Sequence, residues 1–543
     1  MNISKLRLPA LILAVLLLLS GCSVSDLGEY AAALQSAIAA ESDVIPFSDM
    51  EYEHPDLTAI RTVLDAAIET AQSEDTALET VADAIYSFYD AYDWFYTCSS
   101  LADIHYSADL TDIYWEKEYN YCQAHTGEVD AMLEELYYAL AASPHRKGLE
   151  SEEYFGDGFF DSYDGENMWD ETFVSLLEAE SQLQSRYYSL SSEALDYVPD
   201  TEEYYEAVAD DMARLLVDMI LQRKEIAAYW GYTDYVEYAN DFYYYRDFTP
   251  GEMAEYLDQV RTRLVPVYMQ LQPEDWHAAY AAGSEAETFR YVRTAARNMG
   301  GTVAEAFDLL EQGKLYDISY GENKYNTAFE VYLTSYWEPF IFMNPTLTRY
   351  DCLTFAHEFG HFCNDYASYG SYAGTDVLEV FSQGMEYLSL CYGEPDEDLI
   401  RTKMADSLSV YVEQAAYAAF EQQMYALPTE ELTVEGLYAL YEKIAQEYGF
   451  ESVGYDPREF VSIPHFYTNP LYVFSYVVSN DAALQLYQLE QETPGAGLDC
   501  FEANLDTQEV YFLSFLNTAN LESPFAEGRM EKVQKTFEMF FQR

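Results

Sequence analysis

His357, Glu358 and His361 form the pattern with the clearest chemical meaning in this 543-residue sequence, an HExxH motif. On a helix, residues i and i+4 lie on one face, so the two imidazoles can bind one cation. The carboxylate of Glu358 lies beside that face, where it can act as general base toward a zinc-activated water. The sequence contains only 8 His, so a chance match is rare. The motif therefore predicts a catalytic zinc site, and the alternative is a helix with two core histidines.

The segment after the motif supplies candidates for the third protein ligand that a catalytic zinc site needs. Residues 375–386 are predicted to begin the next helix, with Glu379 as the zinc ligand. Glu386 follows seven residues later on the same face, where it can accept a hydrogen bond from a ligand imidazole and fix its tautomer. Two alternatives stay open here: a Cys or Asp ligand in place of Glu379, and a Glu386 that is only a solvated helix residue.

The elements that must position these residues are predicted to be mainly helices. Apolar residues recur at spacings of three and four from about residue 56 to residue 245, and helices return from residue 375 onward. Two short segments rich in aromatic and β-branched residues, 328–333 and 338–344, predict strands of a small sheet just before the HExxH helix. The predicted fold is therefore mainly α with a small β-sheet beside the catalytic helix.

The charge of the chain excludes several function classes. It has 27 Lys+Arg against 96 Asp+Glu, a formal net charge of −69. Nucleic-acid binding and docking on lipid through a basic face both need the opposite charge, so neither is expected. The hydrophobic fraction of 50% and aromatic fraction of 16% exclude a disordered acidic tail. The acidity predicts a well-solvated surface, with attraction of cationic peptides as a second interpretation.

The N-terminus resembles a bacterial lipoprotein signal. A positively charged start precedes an apolar run from Leu8 to Leu19. The next three residues are Ser-Gly-Cys22, as in a lipobox. This predicts a signal peptide over 1–21, a lipidated Cys22, a tether over 22–55, and an extracytoplasmic protein that is attached to a bacterial membrane through its lipid alone. An ordinary signal peptide cut nearby is the alternative. No other stretch is apolar for long enough to span a bilayer.

Six further cysteines could pair in that compartment or stay as buried thiols. No CxxC pair occurs, so a cysteine-based zinc or redox site is not expected. The six are Cys98, Cys122, Cys352, Cys363, Cys391 and Cys500.

Several stretches of this sequence resemble the oligoendopeptidase F and thimet oligopeptidase family of zinc metallopeptidases, with the oligoendopeptidase F branch the more similar. The resemblance covers about residues 210–540, so we expect an N-terminal helical region over 56–209 and a catalytic region over 210–543. The similar stretches are Glu338–Asn344, Asp351–His361, Asp376–Glu386, Ile463–Tyr476, Lys224–Tyr235 and Arg246–Pro250.

This resemblance implies a thermolysin-like zincin core inside a large helical body around a deep substrate channel. It implies a zinc-dependent endopeptidase that hydrolyses internal bonds of short peptides, with one zinc held by His357, His361 and Glu379. Glu358 is then the general base. Competing hypotheses are a peptide-binding lipoprotein on an inactive scaffold and a helical zinc carboxypeptidase.

The resemblance also places His465, Tyr472 and Tyr476 across the cleft from the metal. Attack on an amide makes an oxyanion, which needs hydrogen-bond donors beyond the metal. Two phenols spaced i, i+4 and an imidazole N–H could supply them, and the alternative is an aromatic core cluster.

The strand before the zinc helix is a further candidate site. An edge strand there could pair with an extended peptide through main-chain hydrogen bonds, and the alternative is a plain structural strand. The predicted substrate-binding residues are Phe340, Ile341, Phe342, Met343 and Asn344.

Three positions depart from the family pattern without removing a ligand or the base. Asn364 stands where many relatives have His, Phe381 where they often have Pro, and Ser479 near a third Tyr of the thimet branch. These differences bear on the oxyanion geometry and the substrate subsites.

Overall fold

A computed structural model describes residues 44–151, 154–164, 171–194, 197, 201–450 and 456–541. The predicted signal peptide, Cys22 and most of the predicted tether lie outside the described residues. Most of the described chain is α-helical, and a three-stranded sheet lies near its middle. The prediction of a mainly α fold with a small sheet is confirmed.

The N-terminal helices have a hydrophobic core of their own. Leu64, Phe88 and Leu136 belong to it, and each is fully buried. Asp56 and Asp112 begin two of these helices, because their carboxylates accept hydrogen bonds from main-chain N–H groups of the first turn. The helices are α1 (Leu57–Gln72), α2 (Leu78–Ala108), α3 (Ile113–Ala141) and the short α4 (Arg146–Leu149).

A second, larger hydrophobic core extends over the rest of the described chain. The predicted boundary between residues 209 and 210 falls inside α6, whose buried apolar side chains belong to this larger core. Before the sheet the helices are α5 (Glu171–Ala194), α6 (Glu202–Tyr229), α7 (Tyr235–Phe242), α8 (Pro250–Arg263), α9 (Val265–Tyr268), α10 (His277–Tyr280), α11 (Glu285–Met299) and α12 (Gly301–Gly313).

The helices after the sheet carry every predicted catalytic residue except Tyr472, which immediately precedes one of them. They are α13 (Asp351–Ser368), α14 (Thr375–Tyr392), α15 (Glu397–Ser409), α16 (Ala415–Ala426), α17 (Val434–Glu447), α18 (His465–Thr468), α19 (Val473–Glu492), α20 (Ala496–Glu502), α21 (Phe512–Thr518) and α22 (Arg529–Phe541).

The sheet corrects one prediction. Its strands are β1 (Tyr316–Ile318), β2 (Ala328–Leu333) and β3 (Glu338–Met343), in the order β1-β3-β2. β3 pairs with β1 in parallel and with β2 antiparallel, and all six of its residues are buried. The prediction that Phe340–Asn344 forms an edge strand for substrate is therefore wrong, because both sides of the strand already carry partners. A continuous apolar run is typical of such a central strand.

β2 is one of the two edge strands of this sheet, and β1 is the other. The main-chain N–H of Asn344 donates to the carbonyl of Thr327, 3.0 Å away, which fixes the alternation of the antiparallel ladder. Residues 329, 331 and 333 therefore face β3, and the main-chain groups of residues 328, 330 and 332 point outward. The side-chain amide of Asn344 donates to the carbonyls of Gly321 and Lys324, so this residue anchors a loop.

Two further findings concern the predicted compartment. In the part of the chain that the structure describes, no helix combines the length and the apolar character needed to cross a bilayer. The six cysteines within it are all free thiols, four of them buried.

Candidate metal centre and active site

The three predicted metal ligands lie together. α13 carries His357 and His361 and α14 carries Glu379, and one donor atom of each lies within 4.8 Å of the others. The Oε2 atom of Glu379 is 3.5 Å from Nε2 of His357 and 3.9 Å from Nε2 of His361. Ligand atoms around a tetrahedral zinc, with bonds of about 2.0–2.2 Å, lie about 3.3–3.6 Å apart. The donor set therefore fits zinc, with the fourth position left for water or substrate.

Glu379 is the third member of this group rather than a Cys or Asp. In the described residues, no other cluster of three or more His, Cys, Asp or Glu could hold a metal ion. Asp365, one turn beyond His361, instead faces Glu330 of β2. Burial and this mutual contact raise the pKa of Glu330, and burial raises that of Asp365.

Two of the three ligands, His357 and Glu379, are oriented by hydrogen bonds to neighbouring side chains. Nδ1 of His357 lies 2.8 Å from Oε1 of Glu386, so Nδ1–H donates to the carboxylate and Nε2 is the ring nitrogen left for the metal. The hydroxyl of Ser382 donates to Oε2 of Glu379 at 2.8 Å. The hydroxyl of Tyr472 donates to Oε1 of the same carboxylate at 2.7 Å.

The electrostatic field of the site favours a cation. Burial lowers the pKa of His361 to about 4, which leaves a neutral imidazole able to coordinate. Burial also acts to lower the pKa of His357, but the hydrogen bond to Glu386 and the charge of Glu379 outweigh it and raise the value to about 9. The carboxylates thus stabilise positive charge at this position, and a divalent cation would supply it.

Glu358 has the properties of a base that works near neutral pH. The residue lies on the metal-binding helix and is 7% exposed. Burial raises its pKa to about 7, with the charges of Glu379 and Glu386 adding to the shift and His357 opposing it. A proton acceptor is most effective when its pKa lies near the working pH.

The predicted aromatic cluster faces the metal ligands. The rings of Tyr472 and Tyr476 are 5.1 Å apart, and the His465 ring lies 5.5 Å and 5.8 Å from them. All three residues are only partly buried, whereas their chain neighbours Phe466 and Val473 are buried. Burial raises the pKa of both tyrosines and lowers that of His465. The two phenols therefore remain protonated donors beside a neutral imidazole.

A buried arginine on α6 holds the main chain of this cluster. Arg223 is fully buried, and its guanidinium donates to the carbonyls of Phe466 and Tyr467, with 2.7 Å to the first. Its Nε donates to Glu180 at 2.8 Å, which balances the charge. Since both carbonyls follow His465 directly, Arg223 fixes the position of that imidazole.

A second buried arginine joins the two sides of the site. Arg246 makes a bidentate ion pair with Asp376, at 3.0 Å and 3.1 Å, in the first turn of α14. The same guanidinium donates to the Leu471 carbonyl and the Ser475 hydroxyl, each at 3.1 Å. Arg246 therefore ties the helix of Glu379 to the start of the helix that carries Tyr476.

Gly360 sets the distance between the two metal-binding helices. A Cβ atom at this position would lie 2.3 Å from the main-chain oxygen of Phe381 and 2.6 Å from Cα of Ser382. No real side chain fits at such distances, so the absence of one lets α13 and α14 cross closely enough for Glu379 to reach the histidines.

Sequence reasoning missed the basic residues that support the site. Arg223, Arg246 and Lys403 are all buried beneath it, and each is paired with acidic side chains. A signal existed, because basic residues are scarce in this chain, and Arg223 and Lys403 lie within helices while Arg246 lies between two of them. Their partners could not be read from the sequence, since Arg246 and Asp376 are 130 positions apart.

Comparisons with known proteins agree with this architecture. Residues 47–167 match the family model of the peptidase M3 N-terminal domain. A candidate oligoendopeptidase F from Bacillus anthracis str. Ames has 21% identity and a TM-score of 0.74, covering 92% of this chain and 99% of that chain. PZ peptidase A with an inhibitor has 19% identity and a TM-score of 0.76, covering 91% and 99%. Oligoendopeptidase F from Enterococcus faecium has 14% identity and a TM-score of 0.55, covering 89% and 96%.

The chain has the oligoendopeptidase F fold. The resemblance predicted from the sequence is confirmed, for the N-terminal domain by the family match and for the chain by the fold. No match to the sequence is found among curated proteins. Within the oligoendopeptidase F fold, the roles of individual site residues stay predictions.

Proposed function

We propose that this protein is a zinc-dependent endopeptidase that hydrolyses internal bonds of short peptides. The observation that carries the proposal is the convergence of His357, His361 and Glu379 on one point, with Glu358 on the same helix. The oligoendopeptidase F fold supports the peptidase class. The facing tyrosines supply what amide hydrolysis needs besides a metal and a base.

The residues divide the chemistry among them. Zinc, when held by its three ligands, would activate water and polarise the scissile carbonyl. Glu358 accepts the proton of the attacking water and donates it to the leaving nitrogen. Tyr476 and His465 donate hydrogen bonds to the oxygen on which negative charge develops. The single O–H of Tyr472 donates to Glu379 in this structure, and it joins these donors by turning from Glu379 to the substrate oxygen.

Substrate binding is proposed to use the outer edge of β2. Its outward main-chain groups can pair with an extended peptide, which gives affinity without demanding one sequence. A cavity of about 420 Å³ adjoins Tyr472, and Tyr243 and Tyr244 also line it. This cavity has room for a peptide side chain next to the proposed oxyanion donors.

The decisive test is Glu358→Gln, measured with a quenched-fluorescence peptide and by zinc content. We expect unchanged zinc and unchanged folding with nearly complete loss of cleavage, because the amide cannot accept the proton. Glu442→Gln, an exposed glutamate on α17, is the matched control and should keep full activity. Undiminished cleavage by Glu358→Gln would falsify the mechanism.

Two further measurements separate the competing functions. A peptide with an amidated C-terminus should still be cut, and mass spectrometry should show internal cleavage, whereas a carboxypeptidase would fail on it. A purified protein without stoichiometric zinc and without chelator-sensitive hydrolysis would indicate a peptide-binding scaffold instead.

We also propose that lipid on Cys22 anchors the enzyme outside a bacterial membrane. The proposal is supported by the lipobox-like sequence whose last residue is Cys22 and by the apolar run before it. Expression of the full chain with Cys22→Ser should move the protein from the membrane fraction to the soluble fraction, and retention in membranes would contradict the anchor.

A further inference from the structure

A lysine lies buried directly behind the metal site. Lys403 on α15 is 1% exposed, and its Nζ is 2.7 Å from Oε2 of Glu386. The same ammonium lies 3.1 Å from Oδ2 of Asp406 and 5.0 Å from the centre of the Tyr387 ring. Its whole charge is therefore satisfied inside the protein, and its first partner is the carboxylate that orients His357.

These contacts form a closed circuit through three helices. Oε1 of Glu386 accepts from His357 of α13, while Oε2 meets Lys403 of α15. From there the path continues to Asp406, whose Oδ1 accepts a hydrogen bond of 2.7 Å from the Tyr350 hydroxyl. Tyr350 is the residue immediately before α13. The circuit thus returns to the helix on which it started.

Without the ammonium, Glu386 would be a poorly compensated charge. Glu358 and Glu379 lie on the same side of the site, so three carboxylates share a buried volume. Buried charges persist only when they are paired and hydrogen-bonded. Lys403 gives Glu386 its counter-charge, and Glu386 can then remain the acceptor that holds Nε2 of His357 toward the metal.

We propose that Lys403 is a positioning residue that acts through Glu386 to hold His357 in its metal-retaining orientation. The inference rests on the proposed function only in requiring that the site bind zinc. It assigns Lys403 to retention of the metal rather than to the chemical step, since its ammonium does not face the substrate side of the metal ligands.

The test measures the rate at which zinc leaves the purified full chain to a chromogenic chelator, with no peptide present. Lys403→Met keeps the length and apolar stem of the side chain but removes the charge. We expect zinc release about 10-fold faster, the low end of the 10–100-fold loss of metal affinity that follows removal of a residue that orients a ligand, because Lys403 acts through Glu386. Lys403→Arg retains the charge and should recover most of the slow release.

Lys324→Met is the matched control, because Lys324 is also a buried lysine with an acidic partner. It is 8% exposed and lies 2.9 Å from Asp317, at the sheet rather than at the metal. This variant should release zinc at the wild-type rate even where its thermal unfolding midpoint falls as much as that of Lys403→Met. Faster release from Lys324→Met would show a general effect of lost stability and overturn the inference.

A double variant keeps the test informative if Lys403→Met folds poorly. In a Glu386→Gln background the partner is neutral and still accepts from His357, so removing the lysine charge should change zinc release by less than twofold. An equally large acceleration in both backgrounds would show that Lys403 does not act through Glu386.

The two levels of proposal fail differently. Zinc release from a well-folded Lys403→Met within twofold of wild type overturns the role of Lys403 alone. A wild-type chain that retains no stoichiometric zinc overturns the proposed function as well.

Discussion

The two walls of the site are built in different ways. On the metal wall, which carries His357, His361 and Glu379, side chains are oriented by other side chains. Glu386 accepts a hydrogen bond from His357, Ser382 donates one to Glu379, and the buried Lys403 pairs with Glu386. On the facing wall, which carries His465, Tyr472 and Tyr476, the three rings pack mainly against one another. The buried Arg223 and Arg246 donate hydrogen bonds to main-chain carbonyls between these residues. The difference indicates that ligand orientation is fixed atom by atom, whereas the oxyanion donors are placed by the path of the backbone.

The largest expected effect comes from removing a ligand of the metal wall. His361→Ala should lose stoichiometric zinc and nearly all peptide cleavage while keeping its helical circular dichroism, because the carboxylate and one imidazole cannot hold zinc alone. Metal analysis by mass spectrometry checks it. His277→Ala, at an exposed histidine, is the control and should behave as wild type. Full zinc content in His361→Ala would contradict the ligand assignment.

Removal of Arg246 tests whether the two walls depend on each other, because this residue contacts both. Arg246→Met leaves Asp376 buried without its partner, and loss of one member of a buried ion pair costs about 3–5 kcal/mol. Urea unfolding should show this loss, together with weaker zinc retention. Arg290→Met, at an exposed arginine, should unfold like wild type. A wild-type urea midpoint for Arg246→Met would show that the walls are held independently.

The two tyrosines of the facing wall differ in their contacts with the zinc ligands. Tyr472→Phe and Tyr476→Phe should each lower kcat by about 10²–10³-fold with little change in KM, as expected for a lost oxyanion donor. Only Tyr472→Phe should also speed zinc release, since its hydroxyl donates to Glu379. Tyr280→Phe, at a tyrosine that is 79% exposed, is the control. Equal kcat in all three variants would assign the pair to packing.

The smallest effect concerns the sheet beside the metal wall. Burial raises the pKa of Glu338 on β3 from 4.5 to about 7, so the folded protein holds this proton more tightly than the unfolded chain. Folding stability should therefore fall as pH rises from about 4.5 to 7, by about 2 kcal/mol from this group.

Urea unfolding at pH 5 and pH 8 measures this effect. Glu338→Gln should reduce the difference between the two pH values, whereas Glu322→Gln, at an exposed glutamate, should leave it unchanged. An identical pH dependence in wild type and Glu338→Gln would remove Glu338 as its source.

The contrast between the walls also explains what the sequence could predict. His357, His361, Glu379 and Glu386 follow from helical periodicity, because residues spaced by four and seven share a face whatever the rest of the fold does. The strand order did not follow, since β1 has three residues and no pattern of its own, and its pairing with β3 spans a long connection. The aromatic residues of the facing wall, His465, Tyr472 and Tyr476, were predicted only from the family resemblance.

The buried basic residues could not be assigned roles in advance for the same physical reason. A buried Lys or Arg is explained by its partner, and partners come from distant positions in the chain. Lys403 and Glu386 are on separate helices, and Arg223 reaches main-chain oxygens 243 and 244 positions away. Only the folded structure brings these charges into contact.

Gly360 makes the sequence requirement of this zinc-binding helix stricter than the HExxH pattern states. HExxH leaves two positions unspecified, yet the second of them here faces the backbone of the neighbouring helix with no room for a methyl group. In this molecule the required pattern is HExGH. Gly360 does not bind the metal, but its residue type is as constrained as those of the two histidines. A search for distant members with the same helix crossing can therefore require the glycine, and an HExxH with a bulky residue there points to a differently spaced third ligand.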